Sequence, residues 1–127
     1  MCVIIPHMTD RAQHLAQYAD FKKGAELEAN SPQLRVEAIF LAMFHLIDAC
    51  AALRNVHINK HQRVRSELEQ NPAIFGDRTE EIWIAFQDIE VHLRPKFVYG
   101  KNWRPEDFTA VFERAAKIED ICRGVLR

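Results

Sequence analysis

Residues 38–65 read Ala-Ile-Phe-Leu-Ala-Met-Phe-His-Leu-Ile-Asp-Ala-Cys-Ala-Ala-Leu-Arg-Asn-Val-His-Ile-Asn-Lys-His-Gln-Arg-Val-Arg. The sixteen residues from Ala38 to Leu53 carry two polar side chains, His45 and Asp48. A segment apolar on nearly every side, stopping abruptly at a basic, histidine-bearing turn, predicts the central helix of a small bundle. At His45 and Asp48 it is too polar, and overall too short, for a membrane span. Those two residues and the turn after them are the first places to look for function.

Working outward, the chain reads as helices without a convincing strand. Thr9 is a good N-cap for a first helix running to about Glu28. Asn30-Ser31-Pro32 is a stop and restart, with Pro at the first position of a second helix that ends near Arg54. Asn59 with Gln62 resembles a capping box, so a short third helix is expected from Asn59 to just before Asn71-Pro72. Asp77 with Glu80 starts a fourth, along which Ile82, Phe86, Ile89 and Leu93 recur at helical spacing until Pro95 disturbs or ends it. Pro105 opens the last, with the cleanest apolar stripe: Phe108, Val111, Phe112, Ala115, Ile118, Cys122 and Val125. The expected fold is all-α, an up-and-down antiparallel bundle of four main helices plus one short helix. Residues 1–8 read as a loose leader without the basic start of a signal peptide, and Met8 as an alternative start; residues 9–127 form one domain.

Composition fits a soluble globular chain of 127 residues, with 48% apolar and 28% charged side chains and a formal net charge of -1. No global field draws it to nucleic acid or membrane. Cys2, Cys50 and Cys122 are an odd number with no CxxC spacing. Cys50 and Cys122 fall at apolar positions and read as buried thiols, and the compartment as reducing and cytoplasmic.

Charge is unevenly spread. Residues 49–66 contain Arg54, Lys60, Arg63 and Arg65 and no acid; residues 91–105 contain Arg94, Lys96, Lys101 and Arg104 and no acid. The second window also holds Phe97, Tyr99 and Trp103. In an antiparallel bundle both windows fall at one end. Cations interleaved with aromatics suit phosphate contacts and base stacking; alternatively they are solvated loops.

His45 reads as a core histidine with Asp48, one turn on, as its partner. His61, placed in the first turn of the third helix, is a candidate general base, because a helix N-terminus disfavours an added positive charge. His57 lies on the preceding loop. His45, His57 and His61 lack a carboxylate or cysteine at a supporting spacing, so no metal is expected, and no other cofactor. Arg94 closes the fourth helix or, near His61, stabilises charge on a phosphate. The signatures of P-loop hydrolysis, dinucleotide redox chemistry, serine hydrolysis and zinc proteolysis are missing.

Phe44-His45, a small-residue-rich helix, His61 sixteen residues after His45, and Arg94 to Tyr99-Gly100 before a final amphipathic helix follow one another in this order. The arrangement, over roughly Val36 to the C-terminus, is similar to small single-domain members of the HEPN superfamily. The resemblance implies an all-α bundle, often a homodimer. Many such proteins are metal-independent ribonucleases of toxin–antitoxin or defence systems. Others are non-catalytic RNA- or nucleotide-binding units beside a nucleotidyltransferase partner. Catalytic members use an Arg and, after about four to six residues, a His. Here Arg94 leads to Tyr99, a poor base near neutral pH with a reference pKa of about 10. Arg54 and His61 fit the spacing but straddle a turn.

Two functions follow as expectations. The first is a non-catalytic module that dimerises, partly through Trp83 and Ile84, and binds a nucleotide or a partner protein. The second is a metal-independent ribonuclease or RNA binder. There His61 is the base, Arg54 and Arg94 hold the phosphate and Tyr99 donates to it or to the leaving oxygen. His45, Asp48, His57, Lys60, Arg63 and Lys101 are the accompanying ligand-binding candidates.

Overall fold

A computed structural model describes residues 6–100 and 102–127, the side chains from residue 11 onward. Helices α1 (Pro6–Glu26), α2 (Pro32–Ala52), α3 (Val64–Gln70), α4 (Thr79–Gln87), α5 (Arg94–Val98) and α6 (Pro105–Leu126) make up the chain, and the described residues contain no strand. Among the described residues no helix is long and apolar enough to cross a membrane.

The start of α2 follows its sequence signal. Ser31 is extended, its hydroxyl accepts the Leu34 N–H at 3.2 Å, and Pro32 occupies the first turn, where a missing N–H is harmless. The end of α1 is tied to the same junction. The Asn30 amide donates to the Gly24 carbonyl at 2.9 Å and Arg35 Nε to the Ala25 carbonyl at 2.8 Å, satisfying carbonyls left open by the helix end.

Inside the bundle α2 is buried almost throughout: Phe40, Ala42, Met43, Ile47, Ala49, Cys50 and Ala51 are 0% exposed. α1 and α6 pack against it, with α5 on a third side; α6 also packs on α4, and α4 on α3. Phe86, Ile82, Ile89, Leu68, Val111 and Ile118 complete the core. Cys50 and Cys122 are buried free thiols, and burial pushes the Cys122 thiol well up; Cys2 lies outside the described residues.

Several boundaries depart from expectation. α1 begins at Pro6, so Thr9 lies inside it rather than capping it, and residues 6–8 belong to the helix; residues 1–5 lie outside the described residues. Asn59 does not cap α3. It takes the left-handed conformation (φ 59°), as does Asn55 (φ 59°), a backbone region that asparagine tolerates. His61 therefore opens a single 3₁₀ turn, His61–Arg63, before α3. Likewise a 3₁₀ turn at Gly76–Arg78 precedes α4, displacing Asp77 from the cap.

Pro95 neither breaks nor ends its helix. Residues Asp88–Leu93 form a π turn, and Pro95 falls in the first turn of α5. Widening the helix there lets the chain pass a residue that cannot donate to the ladder. α4, the π turn and α5 thus run on as one interrupted helix.

Substituting Phe40→Ala is expected to cost about 3–5 kcal/mol, as for a large buried aromatic. Ser31→Ala, which removes one capping bond, costs about 1 kcal/mol. Urea denaturation monitored by circular dichroism gives both values.

Candidate functional site

Phe40 gathers the residues with chemistry. Its ring stacks on Phe86 (centroids 5.2 Å apart), meets the edge of His61 (5.1 Å), and lies under the Arg94 guanidinium (4.6 Å). Such a cation over an aromatic face is attracted by the ring quadrupole.

Both polar groups also have a carboxylate. Glu37, one turn before Phe40 on α2, takes Arg94 in a fork: Nε to Oε2 at 2.8 Å and Nη2 to Oε1 at 3.0 Å. This bidentate match is the strongest geometry available to an arginine. It holds the Arg94 pKa above its ordinary value, with burial opposing and Tyr99 and Glu90 contributing less. Glu90, on the π turn, binds Nδ1 of His61. No described residue hydrogen-bonds to Nε2, so the carboxylate fixes the ring and leaves Nε2 facing outward from the pair. His61 is half-buried, its side chain 29% exposed.

Glu37 and Glu90 were missed by sequence reasoning. The second acid-free window begins just after Glu90, and Glu37 lies far away in sequence. The available signal was helical spacing: Glu90 stands four residues before Arg94, and Glu37 three before Phe40. The structure brings His61 and Arg94 to one ring, yet two carboxylates face them and the corner is not cationic.

Other candidates are scattered. Tyr99 follows α5 and is 80% exposed. Arg54 is exposed beyond α2, and nothing joins it to His61. Arg63 pairs with Glu67, Arg65 with Glu69, and Lys96 with Asp107. Arg54, Lys60 and Arg104 are exposed without an ion pair among the described residues, and Lys101 lies outside them. His57 is exposed on the loop after α2. Arg63, Arg65, Arg94 and Lys96, half of the cations in the two basic windows, are thus paired with acids.

His45 and Asp48 belong to a different cluster. Asp48 is not the direct partner of His45. One of its oxygens accepts the Ile58 N–H at 3.1 Å, and the other lies 3.3 Å from His14 Nε2. His45 contacts His14 instead. Sequence reasoning missed His14 because α1 carries little amphipathic signal. Among the described residues no group of three or more His, Cys, Asp or Glu could hold a metal ion.

Trp83 is less available than its sequence position implied, since the Arg65 guanidinium covers its ring at 3.9 Å; Ile84 remains 47% exposed. A surface hollow of about 420 Å³ between α4 and α6 is lined by Asp77, Glu80, Glu81, Ile84, Glu113 and Lys117 among others. Its charge is wrong for a phosphate.

Compared with protein-family models, curated proteins and solved structures, the chain matches none.

Replacing Glu37 and Arg94 singly and together in a double-mutant cycle is expected to show a favourable coupling of about 1 kcal/mol or more. Arg94→Lys should recover little of it, because a lysine can neither fork to the carboxylate nor lie flat on Phe40. Chemical denaturation of the four proteins measures the coupling.

Proposed function

We propose that this chain is a HEPN-like helical module that binds a nucleotide or a partner protein without cleaving it. The engagement of Arg94 carries this reading. A guanidinium forked to Glu37 and seated on Phe40 builds a corner rather than waiting for a scissile phosphate. Tyr99 stands where a catalytic histidine would be expected, and its exposed ring suits stacking against a base. In this reading the helices form an up-and-down antiparallel bundle of four main helices plus one short one. The protein is a cytoplasmic homodimer, and a nucleotidyltransferase of a toxin–antitoxin type system is its natural partner. Exposed Ile84 and Val91 give the dimer an apolar contact in place of the covered Trp83.

A second reading, a metal-independent ribonuclease, rests on the Glu90–His61 pair. A carboxylate on Nδ1 orients an imidazole whose Nε2 can take the proton of an RNA 2′-hydroxyl. That oxygen would attack the adjacent phosphorus while Tyr99 protonates the leaving 5′-oxygen. Arg94 would stabilise the added charge only after giving up part of its hold on Glu37.

Incubation with total RNA in chelator separates the two. The binding module leaves RNA intact, whereas a ribonuclease cuts it and loses that activity in His61→Ala. In parallel, a panel of nucleoside mono-, di- and triphosphates is screened by thermal unfolding. A ligand at about a hundred times its Kd adds about 2.7 kcal/mol, which raises the Tm by several degrees. Tyr99→Ala should abolish the shift. Intact RNA, no thermal shift and a monomer in sedimentation would together overturn both the nucleotide and the dimer parts of the reading.

A further inference from the structure

His14 of α1 and His45 of α2 face each other through the same ring atom, Nδ1 to Nδ1 at 2.9 Å. Beyond His14, Nε2 lies 3.3 Å from Oδ2 of Asp48, a carboxylate buried to 3% exposure. Phe21 of α1 lies flat on the His45 ring, with centroids 5.8 Å apart and planes 8° apart, and Phe44 tilts against it at 5.4 Å. The pair is thus enclosed between two helices.

A nitrogen–nitrogen hydrogen bond holds one proton. With both rings neutral, His14 keeps its proton on Nε2 toward Asp48, and its Nδ1 lone pair receives the Nδ1–H of His45. One added proton settles on His45 Nε2 and leaves this bond intact. A second must go to His14 Nδ1, where two N–H groups then point at each other and two positive rings share one half-buried space. The arrangement tolerates one proton and not two.

α1 depends on such contacts more than its length implies. Leu15, Tyr18 and Phe21 lie against the core only partly buried. Its other polar anchor lies towards the C-terminal end, where Tyr18 Oη and Lys22 Nζ both donate to Glu119 of α6.

We propose that the His14–His45 pair is a proton-operated latch: α1 stays docked on α2 while the pair holds at most one extra proton, and the half of α1 around His14 detaches when both rings are charged. Detachment would expose Asp48 and the apolar face of α2 beneath. The latch does not depend on the function proposed above. Among the described residues, Asp48 from α2 and His14 from α1 are the charged or titratable groups acting on His45. Burial, then His14, lower the His45 pKa, and Asp48 partly offsets them. A group depressed in the folded state contributes stability that is present above its unfolded value of about 6.5 and is lost as pH falls through the folded value.

Two measurements on the intact chain test this. In nitrogen-15 imidazole spectra, His45 should take up its proton only below about 6.5. In hydrogen exchange, corrected for intrinsic rates, protection across residues 11–17, the part of α1 around His14, should fall about tenfold between about pH 7.5 and about pH 5, while α2 holds. His45→Gln, which cannot charge, should remove that pH dependence. Protonation of His45 at or above about 6.5 with unchanged α1 protection overturns the latch, as does a dependence that persists in His45→Gln. If that variant fails to fold, the wild-type spectra decide alone.

Discussion

Asp48 is 3% exposed in the middle of the protein, on the one helix that water barely reaches. Its carboxylate takes the Ile58 N–H of the loop beyond α2 and faces His14 of α1. A buried charge without such partners would cost several kcal/mol. The contact therefore fixes both the path of the chain after α2 and the register of α1 on it. The same rule governs the other polar side chains of α2. Glu37 is forked to Arg94, His45 is bonded to His14, and no buried side-chain polar atom among the described residues lacks a partner. An enclosed helix turns each polar residue it carries into a joint with a neighbouring element.

This constraint also shapes the chemistry of the His61 corner. Arg94 and His61 come together because both lie against Phe40, a residue of that enclosed helix. Each then meets a carboxylate, so the corner carries no excess of positive charge though rich in polar groups. A well-bonded corner of that kind next to an exposed aromatic is better suited to recognising a ligand's shape than to attracting a polyanion.

Much of the architecture was legible because it depends on local signals. Ser31-Pro32 marks the start of α2 and Pro105 that of α6, and most of the run from Ala38 to Ala52 is buried as its composition demands. What escaped depends on the backbone finding a second-best local geometry. Asn59 was read as a cap and is a left-handed turn residue; Pro95 was read as disturbing or ending its helix, and the disturbance takes the form of a π turn that absorbs it. At the site, His61 and Arg94 stood out as unusual residues in unusual places. Glu37 and Glu90 did not, since single acids on helices are common and their partners lie far along the chain. His14 was hidden for a related reason, being one polar residue on a helix with little apolar contrast.

The π turn at Asp88–Leu93 has an implication for chain length. Such a turn accommodates roughly one more residue than an ordinary helical turn. Deleting a residue from it would let the segment regularise into a plain α-helix. Everything beyond would then rotate by about a quarter of a circle. Arg94 would swing off Phe40 and Tyr99 would face another direction, although no side chain of the corner had been altered. The spacing between Glu90 and Arg94 is thus part of the architecture in its own right. Related chains of different length in this stretch would present a different surface from the same set of amino acids.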